Sequence, residues 1–250
     1  MGQVRTTFIL ILFFSASLSG CLSNEPTGEK IDLLVNYELN NGTVVESYSN
    51  GELTFTSEVT LDFDFSQTTA DSKLVTYGLD KMDGSSPTTV NANSATSVSV
   101  EFSNHGIYNL TAYAIDENGE QKNLTIPVRI ELRIEWVETN TNNPQTLVFD
   151  PTPSNGGQHA LMIEVYSTVE NPSLINDISG GGQSVEFTWN IADEQDDICQ
   201  SRSGQVEDGE AEFWNTIHFN TYGIHELRIN YDEGQDSISI NQSVSIIYES

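Results

Sequence analysis

Basic residues are scarce in this chain. Nine Lys and Arg stand against 37 Asp and Glu. So acidic a surface repels nucleic acid and anionic headgroups, which argues against both as partners. Cysteine is scarcer still, with Cys21 and Cys199 alone. A fold stapled by several disulfides is excluded, so packed cores must hold the chain together. No apolar run approaches the ~20 residues that span a bilayer, so no transmembrane helix is expected. No stretch carries the apolar period of a three-turn helix. Catalytic signatures are also missing. There is no G-x-S-x-G elbow and no phosphate-binding Gly loop ending in Lys-Ser/Thr. His225-Glu226-Leu227-Arg228-Ile229 begins like a zinc-protease helix, but it lacks the second His and alternates like a strand. His105, His159 and His218 are scattered. The sequence assigns no catalytic residue, no metal ligand and no cofactor, and the chain reads as a non-enzyme.

What is present begins at the N terminus. Arg5 gives a positive start, Phe8 to Phe14 an apolar run, and Ser15 to Gly20 a small-residue segment. These are the three parts of a secretory signal. One Arg rather than a pair favours a general export route over a twin-arginine one. Leu18-Ser19-Gly20-Cys21 follows directly. It resembles the lipobox of prokaryotic lipoproteins. The resemblance implies cleavage between Gly20 and Cys21, lipidation of Cys21, and residence on the outer face of a cell membrane. Two or more acyl chains hold a protein there stably, whereas one does not. An ordinary signal peptide with a chance Cys is the alternative reading. Leu22 to Lys30 then reads as a polar tether, and Cys199 as a packed thiol without an intrachain partner.

Removing residues 1–20 takes away one base, Arg5, and no acid. It leaves 8 basic and 37 acidic side chains and a formal charge of −29. The acids are spread along the chain, which suits solubility more than a cation site. The densest cluster is Asp193, Glu194, Asp196 and Asp197, and Asp80 with Asp83 form a smaller one. Neither has EF-hand spacing, so a solvated acidic loop is preferred to calcium binding.

From Ile31 on, the apolar period is two. Val59, Leu61, Phe63 and Phe65 make one face, and Val98, Val100 and Phe102 another. Further on come Leu161, Ile163 and Val165, then Val185, Phe187, Trp189 and Ile191. Ala211, Phe213, Ile217 and Phe219 follow, and Ile238, Ile240, Val244 and Ile246 close the series. Asn40-Asn41-Gly42, Ser49-Asn50-Gly51, Asp83-Gly84 and Glu117-Asn118-Gly119 carry turn chemistry. Asn155-Gly156-Gly157, Gly180-Gly181-Gly182 and Asp193 to Gly209 read as polar loops. Many short strands with polar turns mean a β-sandwich or barrel. The alternation from Leu124 to Trp136 is about twice an ordinary strand. A domain boundary is placed within it, near Glu131 to Arg133, as a continuous strand or as a kink.

The two halves repeat one another. Phe102-Ser103-Asn104-His105-Gly106-Ile107-Tyr108-Asn109-Leu110 aligns with Phe219-Asn220-Thr221-Tyr222-Gly223-Ile224-His225-Glu226-Leu227. Thr76-Tyr77-Gly78-Leu79 answers Thr188-Trp189-Asn190-Ile191 upstream. Gly106-Ile107-Tyr108-Asn109-Leu110 followed by Asp116 to Gly119 resembles the PKD domain, an immunoglobulin-like sandwich of prokaryotic and archaeal surface proteins. Tyr77 stands where that family usually has Trp, and His225 stands at the tyrosine position of the second copy. The resemblance implies two tandem antiparallel sandwiches after the signal peptide. Residues 1–20 are the leader, 21–30 the lipidated tether, 31–132 the first domain and 133–250 a divergent second one. Tyr77 and Trp189 should fill the space between sheets, Gly106 and Gly223 should need positive φ, and Tyr108 should act as a tyrosine corner. The function expected is a lipid-anchored surface module for protein or glycan binding, adhesion or scaffolding. An accessory subunit of a membrane enzyme or transporter is the alternative, and a hydrolase ranks last. The expected partner loop is Asp193, Glu194, Asp196 and Asp197.

Overall fold

Residues 30–172 and 182–249 are described in the computed structural model of this protein. Gly20 and Cys21, with the leader and the tether up to residue 29, lie outside the described residues, as do Gly180 and Gly181. No helix occurs among those described. The fold is all-β and antiparallel, with one parallel pair.

The first half contains β1 (Ile31–Asp32), β2 (Asn41–Ser49), β3 (Glu52–Ser57), β4 (Val59–Asp64), β5 (Thr69–Ala70), β6 (Leu74–Asp80), β7 (Thr88–Asn91), β8 (Ser97–Phe102) and β9 (Gly106–Asp116). β4 pairs with β8, and β6 lies between β7 and β9. Phe63, Phe65, Val98, Val100 and Phe102 are buried between the layers with Tyr77, Leu79, Tyr108 and Leu110. Phe65 stacks on Tyr77 at 4.8 Å, and Phe102 meets Tyr108 edge-on at 4.9 Å. The Tyr108 hydroxyl donates to the Asn104 carbonyl at 2.8 Å, so the tyrosine corner is formed. Gly106 and Gly223 take φ of 149° and 73°, where a side chain would be strained.

β10 (Gln121–Thr141) is 21 residues long. Its first part pairs with β9, up to Ile130 opposite Gly106. From Leu132 it pairs with β17. The boundary placed near Glu131 to Arg133 therefore falls inside one unbroken strand. Ile126, Val128, Ile130, Leu132, Ile134 and Trp136 are all buried on one face of it.

The second half contains β11 (Leu147–Phe149), β12 (Met162–Glu170), β13 (Val185–Asp193), β14 (Ile198–Val206), β15 (Ala211–His218), β16 (His225–Glu233) and β17 (Ile238–Ile247). β13 lies between β14 and β16 as β6 lies between β7 and β9, and β12 pairs with β15 as β4 pairs with β8. The last strand breaks this parallel. β17 inserts between β12 and β10 in the middle of the large sheet.

Two strands cross the sequence division. β2 runs parallel to β10, with Val45 opposite Arg133 and Ser49 opposite Val137. β3 is its hairpin partner. Residues 41–57 thus lie along the part of β10 that pairs with β17, on its opposite side, in a sheet that β9, β6 and β7 also join. The turn expected at Asn40-Asn41-Gly42 is instead the start of β2. Asn50 and Gly51, with φ of 47° and 82°, do make the hairpin turn.

Trp189 fills the second core. It is fully buried, with Phe187 against it at 4.6 Å and Trp214 at 5.9 Å. Its indole N–H donates to Ser167 Oγ at 2.8 Å. The long loop expected at Asp193 to Gly209 is a second correction, because β14 occupies most of it. β14 has polar residues on both faces because it is an edge strand with little apolar surface to bury. Its Gly204 lies over Phe187 and Trp189, and a Cβ there would fall 2.7 Å from the Phe187 ring. The Arg202 guanidinium covers the Trp189 face at 5.6 Å.

Candidate functional site

The expected partner loop contracts to a tight turn between β13 and β14. Asp193 Oδ1 accepts from the amides of Gln195 and Asp197, each at 3.0 Å. Asp196 takes φ of 66° and pairs with Arg228 Nη1 at 2.5 Å. Glu194 lies in the same exposed turn. Within the turn, Asp193 is engaged with the backbone and Asp196 with Arg228, while Glu194 Oε1 accepts from the Gln195 side-chain amide at 2.7 Å. Among the described residues, no three His, Cys, Asp or Glu side chains converge as metal ligands would. Cys199 is exposed on β14 rather than packed. Partial burial and the charges of Asp193 and Asp197 push its thiol pKa up, so the thiolate is disfavoured.

The histidines that were scattered in sequence meet in space. His225 Nδ1 lies 3.0 Å from the Gly223 carbonyl, and its Nε2 lies 3.2 Å from His218 Nε2. The carbonyl requires N–H at His225 Nδ1, so the bare Nε2 accepts from His218. Phe149 stacks on His225 at 5.7 Å. Across the molecule, His105 Nδ1 meets the Tyr248 hydroxyl at 2.7 Å, both groups being buried. Burial lowers the His218 pKa and the neighbouring His225 lowers it further. Burial lowers His105 as well, opposed by Asp150. A histidine of lowered folded pKa costs nothing above its unfolded value of ~6.5. Below that pH the unfolded chain takes up a proton that the native fold resists, so stability falls on acidification. Thermal melts should therefore show a lower midpoint at pH 5.5 than at pH 7.5, with a smaller drop in a His105→Gln, His218→Gln variant. An equal drop in that variant would place the effect elsewhere.

A third correction locates the most distinctive surface. β15 buries Trp214 and His218, not Phe213, Ile217 and Phe219. Trp214 turns inward against Trp189, which sends the alternate residues out. Phe213 is 59% exposed, Ile217 43% and Phe219 71%. Tyr166, in the outward phase of β12, is 53% exposed.

Strand register collects these side chains on one face. Tyr166 pairs with Asn215 on one side and Ser243 on the other. Ser243 pairs with Glu135, Glu135 with Ser47, and Ser47 with Phe55. One row across six strands therefore reads Asn215, Tyr166, Ser243, Glu135, Ser47, Phe55. A flanking row reads Ile217, Glu164, Ser245, Arg133, Val45, Ser57, and another places Phe213, Thr168, Asn241 and Val137 together. Phe213 and Ile217 are diagonal neighbours of Tyr166, about 7–8 Å away. Phe55 is four strands from Tyr166, or roughly 19 Å at ~4.8 Å per strand. The face is a serine-rich floor with exposed rings at both margins. A shallow depression of about 230 Å³ is lined by Glu164, Tyr166, Asn215, Thr216 and Ile217. Arg133 pairs with Glu135 at 3.3 Å on the floor.

No known protein family matches this sequence. No curated protein matches it either. Among solved structures, one of the carbohydrate-binding modules of the β-sandwich superfamily is similar at 9% identity and a TM-score of 0.32, over 89% of this chain and 94% of its own. The fibronectin(III)-like modules of Clostridium thermocellum CbhA are similar at 12% identity and a TM-score of 0.27, over 70% of this chain and 94% of theirs. Bacteroides ovatus SGBP-B, solved with a mixed-linkage heptasaccharide, is similar at 11% identity and a TM-score of 0.24, over 82% of this chain and 52% of its own.

Proposed function

We propose that this protein is a non-catalytic, lipid-anchored surface module that binds a glycan chain across the outer face of its large sheet. The observation that supports this reading is the register that places Tyr166, Phe213, Ile217 and Phe55 on one exposed face with a floor of Ser, Asn and Glu. A sugar ring presents apolar C–H faces and a polar hydroxyl edge. An exposed aromatic ring stacks on the first. Ser243, Asn215 and Glu164 offer hydrogen bonds to the second. Solvent-exposed rings beside convergent polar groups are the usual make-up of a ligand surface. The ~19 Å between Tyr166 and Phe55 suits a chain of several sugars rather than one.

The test is retention of the protein by a panel of soluble polysaccharides in affinity electrophoresis, repeated with Tyr166→Ala. Losing one stacked ring is expected to weaken binding about 10- to 100-fold, which is roughly 1.4–2.8 kcal/mol. The melting midpoint should hardly move, because the ring is at the surface. Retention by no polysaccharide, or equal retention of both proteins, would overturn the glycan reading. Capture of one protein partner instead would favour an accessory subunit. The anchor is tested separately. Cys21→Ala should release the protein from membranes, and a variant that stayed bound would place the anchor elsewhere.

A further inference from the structure

We propose that the open edge of β4 accepts an extended, basic peptide as an added strand. The argument starts from one bridge. Asn36 and Asp64 exchange two backbone bonds, at 2.9 and 2.8 Å. In an antiparallel strand, both backbone groups of a residue point to the same side, and the side alternates along the chain. Asp64 points to Asn36, so Asp62 and Thr60 point that way too, while Leu61 and Phe63 turn to β8. Beyond Asn36 the chain departs to reach β2, and among the described residues no other pairs with that side of β4. The N–H and C=O of Thr60 and Asp62 have no backbone partner among the described residues.

The departure leaves a groove of about 560 Å³ between β4 and residues 37–39. Tyr37, Leu39 and Leu61 give it an apolar lining, and Glu38, Asp62 and Asp64 an acidic one. Tyr37 is braced by Phe63 at 5.6 Å, and Leu39 is 60% exposed. Asp62 accepts from Ser99, and Asp64 accepts from the Ser66 hydroxyl at 2.7 Å, so both carboxylates are held in place. None of the lining residues is basic. A strand laid here finds up to four main-chain bonds, apolar contacts for alternate side chains, and carboxylates for Lys or Arg between them. The complementary charge selects a basic occupant over an acidic or neutral one. This surface is independent of the sheet face that carries the glycan reading.

The probe is a fluorescein-labelled nonapeptide of alternating lysine and valine, added to the full-length protein in mild detergent. An ionic strength of 0.15 M screens attraction beyond about 8 Å. Saturable binding is expected, with the Thr60 and Asp62 amides protected from hydrogen exchange. The same peptide with alternate backbone nitrogens methylated keeps its charge but loses its donors. It should bind at least about tenfold more weakly. Thr60→Pro should weaken the parent peptide similarly, since proline is tolerated at an edge where the N–H faces out. Leu39→Ala gives a second variant that leaves β4 intact. Equal binding of the two peptides, no binding at all, or protection at another strand would overturn the proposal.

Discussion

Ile134→Pro is expected to unfold both halves of the structure, not only the strand that carries it. Ile134 is buried in the middle of β10, opposite Val244 of β17 on one side and Glu46 of β2 on the other. Proline removes a ladder N–H and leaves the facing carbonyl unpaired in the sheet, at about 1–3 kcal/mol. Truncating the isoleucine side chain adds a cavity cost of about 2 kcal/mol or more. The sum approaches the 5–15 kcal/mol that holds a whole domain. Because the same strand continues back to pair with β9, the loss reaches the first half as well. Urea unfolding followed by tryptophan fluorescence and by circular dichroism should give one coincident transition in the parent protein. The variant should have no native baseline at 37 °C, while Ile134→Val should lose only about 1 kcal/mol. A proline variant that kept a cooperative transition at the parental midpoint would show that the halves fold separately.

Trp189→Ala should cost about 3–5 kcal/mol, the range for removing a fully buried aromatic side chain. The indole is enclosed by Phe187 and Trp214, and Gly204 and Arg202 of β14 lie over it. Its removal leaves Ser167 without its indole donor, and β14 without the surface that justifies its glycine. For a protein of this size the loss corresponds to a fall of roughly 6–20 °C in the melting midpoint. Trp189→Phe should lose less, since most of the ring volume remains. A midpoint within 2 °C of the parent for the alanine variant would mean that the core collapses around the gap or that the ring is not structural.

The central strands were legible because burial on one face dictates alternation there. Val185, Phe187, Trp189 and Ile191 show it without interruption, and all four are fully buried. The tyrosine corner was legible because glycine and tyrosine at that spacing serve a single backbone geometry. β14 was not, since an edge strand covering two rings with Gly204 and Arg202 needs no apolar periodicity. β15 was read one residue out of phase. It carries apolar residues on both faces, and only the size of Trp214 and its fit against Trp189 decide which face turns in. The candidate binding face lay beyond reach for a related reason. Tyr166, Asn215, Ser243, Glu135, Ser47 and Phe55 come from strands far apart in the chain, and period-two alternation says only that each points outward. Their meeting depends on register, including a parallel pairing of β2 with β10 that no local signal encodes.

That parallel pairing also sets a timetable. A chain emerges from synthesis N terminus first, at about 5–20 residues per second. Ser47 faces Glu135, 88 residues downstream. The β2–β3 hairpin must therefore wait roughly 4–18 s for its partner. Throughout that wait it displays Leu53, Phe55 and a free backbone edge, a combination that recruits other chains. β17, made after every other strand described, then has to enter the centre of the same sheet, between β12 and β10. Assembly of this sheet is thus a late event that cannot proceed piecemeal behind an advancing chain, and until it occurs the protein depends on whatever keeps newly made strands apart.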